Sequence, residues 1–185
     1  EQGADIYENQ EIPVNAGEID YVFVTHAHID HSGLLPLLYA KGFRGQVFTS
    51  NATAQLCDIM LRDSAHIQMF EAEWKNRKAR RAGLPEIVPM YDLNDVQGVM
   101  QHFVPCDYDH KIAVCDEITI RFRDAGHLLG SSFIEIWLKE DGKEIKMVFS
   151  GDLGNGNRPL LKNPEIPESA DYLLIESTYG DRMHS

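Results

Sequence analysis

The sequence predicts an α/β layered domain with a mixed β-sheet and flanking helices. Three observations carry this. The apolar run Tyr21-Val22-Phe23-Val24 leads directly into a loop, Thr25-His26-Ala27-His28-Ile29-Asp30-His31-Ser32-Gly33, so a strand ends where a histidine cluster begins. The middle of the chain, from Ala52 to His102, has apolar residues at helical spacing. From Ile118 onward, β-branched and aromatic residues fall into short runs bounded by turn residues.

Taken in order, residues 1–18 are polar and carry Gly3, Pro13 and Gly17, with Ile12-Pro13-Val14 as a short extended piece. Ile19 to Thr25 reads as a buried strand. The loop follows, then a helix from Leu34 that ends near Gly42, and a second strand at Gln46-Val47-Phe48-Thr49. Ser50 or Asn51 suits the cap of a helix from Ala52 to about Gln68, with Leu56, Ile59, Met60 and Ile67 at helical spacing. A charged helical run, Glu71 to Arg81, stops at Gly83 and Pro85. Leu93 to His102 reads as a short helix with Val96, Val99 and Met100 inward. Ile118 to Arg123 alternates with period two, and Ser132 to Leu138 is a further strand. Asp141-Gly142 makes a hairpin turn into Ile145 to Phe149, and Tyr172 to Ile175 is the last apolar strand.

Hydrophobic residues make up 43% and charged residues 25%, the balance of a soluble globular domain. The net charge of −12 argues against nonspecific attraction to nucleic acid, although divalent cations reverse the sign locally. Cys57, Cys106 and Cys115 form neither a disulfide framework nor a Cys-x-x-Cys metal site, which fits reduced thiols and a cytoplasmic protein. No apolar run reaches the length of a membrane span. The chain starts without Met, as an excerpt of a longer protein does.

His26, His28, Asp30 and His31 crowd four metal-capable side chains into six positions. Neutral imidazoles suit zinc, and a carboxylate among them adds charge and a second ligand type. Two later residues have matching context. His127 sits between two predicted strands in Asp124-Ala125-Gly126-His127-Leu128-Leu129-Gly130-Ser131. Asp152 follows a strand in Phe149-Ser150-Gly151-Asp152-Leu153-Gly154. Glycines at both places let backbone approach a crowded centre.

His26-x-His28-x-Asp30-His31, His127 and Asp152, in that order, resemble the first ligand motifs of the metallo-β-lactamase superfamily. Tyr172-Leu173-Leu174-Ile175-Glu176-Ser177-Thr178-Tyr179-Gly180-Asp181-Arg182-Met183-His184 resembles the acidic motif of its β-CASP branch. Asp63-Ser64-Ala65-His66-Ile67-Gln68 is similar to that branch's prokaryotic RNA-processing members, relatives of the cleavage and polyadenylation factor nuclease subunit. The resemblance implies a partial αββα-type metallo-β-lactamase fold and zinc-dependent hydrolysis of RNA phosphodiesters. It implies two zinc ions, the first on His26, His28 and His127, the second on Asp30 and His31, with Asp152 bridging. Two metals roughly 3.5–4 Å apart suit in-line displacement at phosphorus. Catalytic roles fall to Asp30, Asp152 and Glu176, the last by orienting a histidine rather than binding metal.

In the family pattern that histidine, and one completing the second zinc, follow an inserted β-CASP domain. Residues 1–185 are therefore expected to be the N-terminal portion of the metallo-β-lactamase domain, lacking its first strands and its C-terminal part. An incomplete ligand set implies weak metal occupancy and no useful activity for this piece alone. The substrate expected is RNA, with no membrane partner. Self-association through exposed sheet edges, or a homodimer, is a further expectation. The competing readings are a small-molecule metallo-hydrolase of thioesterase or lactonase type, which leaves the Glu176 string unexplained, and a non-catalytic fragment or inactive partner subunit, against which the intact N-terminal ligands argue.

RNA-binding residues are not defined by the sequence. The basic run Trp74-Lys75-Asn76-Arg77-Lys78-Ala79-Arg80-Arg81 suits either an RNA backbone or a solvated helix face. His66 is expected to be packed or capping, and His102 and His110 solvent-exposed. Phe43, Phe70 and Trp74 are expected in the core or an interface.

Overall fold

The computed structural model describes residues 12–156, 159–178 and 180–182. Among the described residues eight strands form two sheets. The first has the order β1-β2-β3, from β1 (Tyr21–Phe23), β2 (Gln46–Ser50) and β3 (Phe103–Cys106). The second has the order β4-β5-β6-β7-β8, from β4 (Ile112–Ala113), β5 (Ile118–Asp124), β6 (Ser132–Glu140), β7 (Lys143–Phe149) and β8 (Tyr172–Leu174). The described residues form two compact units, one built on 12–22, 28–47 and 56–104, the other on 23–27, 48–55 and the described residues after 104.

In the first unit, Ile12-Pro13-Val14 is a bend rather than an extended piece. Asn15 accepts the Gly17 N–H at 3.2 Å and caps a single 3-10 turn, Ala16–Glu18. The strand expected over Ile19–Thr25 contracts to β1, whose residues are half-buried. Two short helices follow, α1 (Ile29–Ser32) and α2 (Leu35–Ala40). The second buries Leu35, Leu37 and Leu38. The helix α4 (Leu93–Met100) begins with a reciprocal cap: Asp92 accepts the Asp95 N–H while Asp95 accepts the Asp92 N–H. Phe43, Val47, Leu61, Val96 and Val99 are fully buried and form the core of this unit.

The two helices expected over Ala52–Gln68 and Glu71–Arg81 are one helix, α3 (Asn51–Ala82). No Gly or Pro interrupts it before Gly83, whose φ of 66° ends it. Ser50 is the cap, its Oγ accepting the Thr53 N–H at 3.2 Å. The buried stripe of α3 is Cys57, Leu61, Ala65, Ala72 and Asn76. Apart from Leu61, the inward apolar side chains are small and allow close approach, while Ile59, Ile67, Phe70 and Trp74 are exposed. Of the three aromatics expected in a core or interface, Phe43 alone is in the core. His66 is exposed as well, not packed. His102, expected at the surface, instead bonds Gly45 O at 2.8 Å and packs against the Tyr39 and Phe43 rings. His110 is exposed as expected.

In the second unit, β5, β6 and β7 are antiparallel, with Ile120 opposite Ile136 and Phe122 opposite Ile134. Asp141 and Gly142 take φ of 49° and 74° and make the predicted hairpin turn, both residues lying where a two-residue hairpin loop needs them. β8 runs parallel to β7, which makes the sheet mixed. It is an edge strand, and its Tyr172, Leu173 and Leu174 are exposed. β3 and β4 had no clear signal: Pro105 interrupts one and the other is two residues long. Among the described residues no helix is long and apolar enough to cross a membrane.

Candidate metal centre

Three loops of the second unit, each leaving a strand, bring one donor apiece to the same place. His26 follows β1. Its Nδ1 lies 3.1 Å from the Thr25 hydroxyl, so Nε2 is the nitrogen turned toward the centre. The Thr25 carbonyl is held twice by Ser132, through N at 2.8 Å and Oγ at 2.9 Å, which pins the loop to the start of β6. His127 lies in the turn between β5 and β6. Asp152 lies just past β7, after Gly151 with φ of 54°.

Asp152 Oδ2 is 3.7 Å from His26 Nε2 and 3.5 Å from His127 Nε2. These separations exceed a good hydrogen bond and approach the roughly 3.4 Å between ligand atoms that tetrahedral zinc imposes with bonds near 2.1 Å. The two imidazoles meet edge to face, with centroids 5.2 Å apart. His26 is completely buried, whereas the His127 and Asp152 side chains are about a quarter exposed. His28, two residues beyond His26, adds a fourth donor: one ligand atom from each of His26, His28, His127 and Asp152 lies within 4.8 Å of the others. Three imidazoles and a carboxylate, one of them shielded from water, are a donor set that suits zinc.

The other predicted site residues fall elsewhere. Asp30 and His31 lie in α1, with His31 Nε2 3.6 Å from Asp30 Oδ2 and the Asp30 side chain 74% exposed. Neither belongs to the four-residue group. Glu176 is outside it too, but it touches the same loop. Its Oε1 accepts the Leu153 N–H at 2.6 Å, and its own N–H donates to Ser150 Oγ at 3.0 Å. Glu176 thus grips both sides of Asp152 without entering the donor set. Tyr179, Met183 and His184 of the acidic string lie outside the described residues.

Close backbone packing joins the His127 and Asp152 loops. Gly154 N donates to Ala125 O at 2.8 Å, and a Cβ on Gly154 would stand 1.8 Å from Gly126 O. Sequence reading missed Thr25, Ser131, Ser132 and Ser150. Serines and threonines beside glycines and ligand residues are the one signal they leave, and they are too common to single out.

The model of the metallo-beta-lactamase superfamily domain matches residues 3–154, and the chain belongs to that family. It is 36% identical over 167 residues to Ribonuclease TTHA0252 of Thermus thermophilus, covering 90% of this chain and 33% of that protein. It is 31% identical to the Probable RNase MJ4 of Methanocaldococcus jannaschii, covering 90% of this chain and 36% of that protein. Similarity also extends to the Transcription termination factor FttA of Methanococcus maripaludis, 32% identical over 88% of this chain and 23% of that protein. The chain therefore spans about a third or less of the length of these relatives. Their names agree with the β-CASP RNA-nuclease branch that the acidic string resembles.

Proposed function

We propose that this chain carries part of the metal centre of a ribonuclease that hydrolyses RNA phosphodiester bonds with zinc. The convergence of His26, His28, His127 and Asp152 is the observation that carries the reading, and the ribonuclease names of its relatives support RNA as the substrate. His26, His28 and His127 would hold one zinc, Asp30 and His31 a second, and Asp152 would serve both. Zinc supplies a Lewis acid for a phosphoryl oxygen and lowers the pKa of water.

The chain's own residues do the rest. Thr25 fixes the His26 ring so that Nε2 faces inward. Burial of His26 keeps water from its side of the centre. Glu176 holds the Leu153 amide and thereby the approach angle of Asp152. Asp152, shared between the imidazoles, offsets positive charge that would otherwise repel a second cation.

The test is zinc binding by chelator competition, with hydrolysis followed on labelled single-stranded RNA, a thioester and a lactone. We expect zinc binding that Asp152→Ala weakens at least tenfold, and RNA turned over in preference to either ester. For residues 1–185 alone the expectation is weak metal occupancy and no useful nuclease activity, so turnover is measured on the complete parent protein. Protein that takes up no zinc, or that cleaves the small esters alone, overturns the proposal.

A further inference from the structure

The loop that presents His127 closes on itself through one residue. Ser131 Oγ accepts the N–H of His127 at 3.0 Å and of Leu128 at 3.1 Å, and Ser131 N donates to Leu128 O at 3.0 Å. Ser131 is completely buried. Its carbonyl is the loop's tie to the rest of the unit, accepting Ala125 N at 3.2 Å and the Tyr108 hydroxyl at 2.7 Å. Tyr108 reaches it from 23 positions earlier in the chain. The preceding carbonyl, Gly130 O, is tied separately by the Ser50 and Thr53 hydroxyls at 2.6 and 2.8 Å.

We propose that Tyr108 and Ser131 are positioning residues that set His127 for metal binding, Ser131 by holding the His127 amide and Tyr108 by holding Ser131. This rests on the metal reading given above. Neither side chain enters the four-residue donor group, so both act on the centre through the loop that presents His127. The chemistry favours a fixed tie over a proton relay. Burial raises the Tyr108 phenol well above its ordinary value, so it stays an O–H donor throughout the working range. An unanchored turn could rotate the imidazole away from Asp152, and ligand orientation is what such outer contacts govern in metal sites.

The experiment compares Tyr108→Phe, Ser131→Ala and, as a control, Tyr91→Phe in the whole chain. Tyr91 is buried and its hydroxyl bonds the Ser64 hydroxyl at 2.8 Å, so the control likewise removes one hydrogen-bonded tyrosine hydroxyl, away from the centre. Zinc affinity is measured by chelator competition, and the ligand field by the visible spectrum of the cobalt(II)-substituted protein. We expect Tyr108→Phe and Ser131→Ala to weaken zinc binding roughly 10–100-fold and to shift the cobalt bands. Tyr91→Phe should leave both at the unsubstituted values. Tyr108→Phe keeps the ring and removes just one hydroxyl, so it remains decisive if Ser131→Ala fails to fold. Unchanged affinity and spectra in Tyr108→Phe overturn the proposal, as does an equal change in Tyr91→Phe. If the unsubstituted chain binds no metal, the metal reading falls and takes this inference with it. If it binds normally and the variants match it, this inference alone falls.

Discussion

A methyl group on Gly154 has nowhere to go, because the atom it would meet is a backbone oxygen rather than the end of a flexible side chain. Gly154→Ala must part the His127 and Asp152 loops or bend both. We expect it to cost about 1–3 kcal/mol in urea unfolding, the range for forced overpacking, and to weaken zinc binding in the same variant. A Gly154→Ala protein as stable as its parent would show that the two loops are not locked together as described. Residues of this kind mark the limit of what a sequence displays. His26, His28, His127 and Asp152 are legible because their side chains are rare, chemically apt and set at strand ends. The Thr25 hydroxyl against His26, the Ser131 hydroxyl on the His127 amide and the Glu176 grip on Leu153 are not, since each depends on a rotamer and a meeting across the sheet. Asp30 and His31, which the resemblance assigns to a second metal rather than to this group, lie on α1 outside it.

Among the elements, the central sheet carries the clearest electrostatic commitment. Glu135 on β6 is completely buried between Arg121 of β5 and Lys146 of β7, with contacts of 2.5 and 2.6 Å. Burial pushes its carboxyl up, but the hydrogen bonds and charges of Arg121 and Lys146 outweigh this and hold it below the ordinary 4.5. The unfolded chain therefore takes up a proton at higher pH than the folded one. The stabilisation is whole above about pH 4.5 and drains away as pH falls through the depressed folded value. Glu135→Gln should lower stability at pH 7, where two cations lose their partner, and flatten the acid limb of the stability profile. An acid limb unchanged by the substitution would assign that limb to other carboxylates. The strands flanking Glu135 were readable from period-two alternation and the Asp141-Gly142 turn. α3 was harder, because it carries two apolar stripes. The stripe of larger residues looks like the core in sequence, yet the helix buries Cys57, Ala65 and Ala72, whose small size permits tight packing.

At the scale of the whole chain, a net charge of −12 is at odds with a polyanionic substrate unless cations intervene. In the proposed function zinc binding is thus asked to alter local charge as well as to supply chemistry, and it should register in global stability. A ligand that binds the folded state alone stabilises it by RT ln(1 + [L]/Kd), about 2.7 kcal/mol at a hundredfold excess over Kd. For a chain of this size each kcal/mol raises Tm by about 2–4 °C, so saturating zinc should lift the melting temperature by about 5–11 °C. EDTA should return it to the metal-free value. The gain should fall by about half or more in His127→Ala and Asp152→Ala, because each removes one of the four convergent donors. His66→Ala, which removes an exposed histidine outside the group, should keep it. Differential scanning calorimetry on the four proteins, with and without zinc, separates a designed centre from casual imidazole binding. An equal zinc shift in all four would mean that surface histidines, not the converging loops, hold the metal.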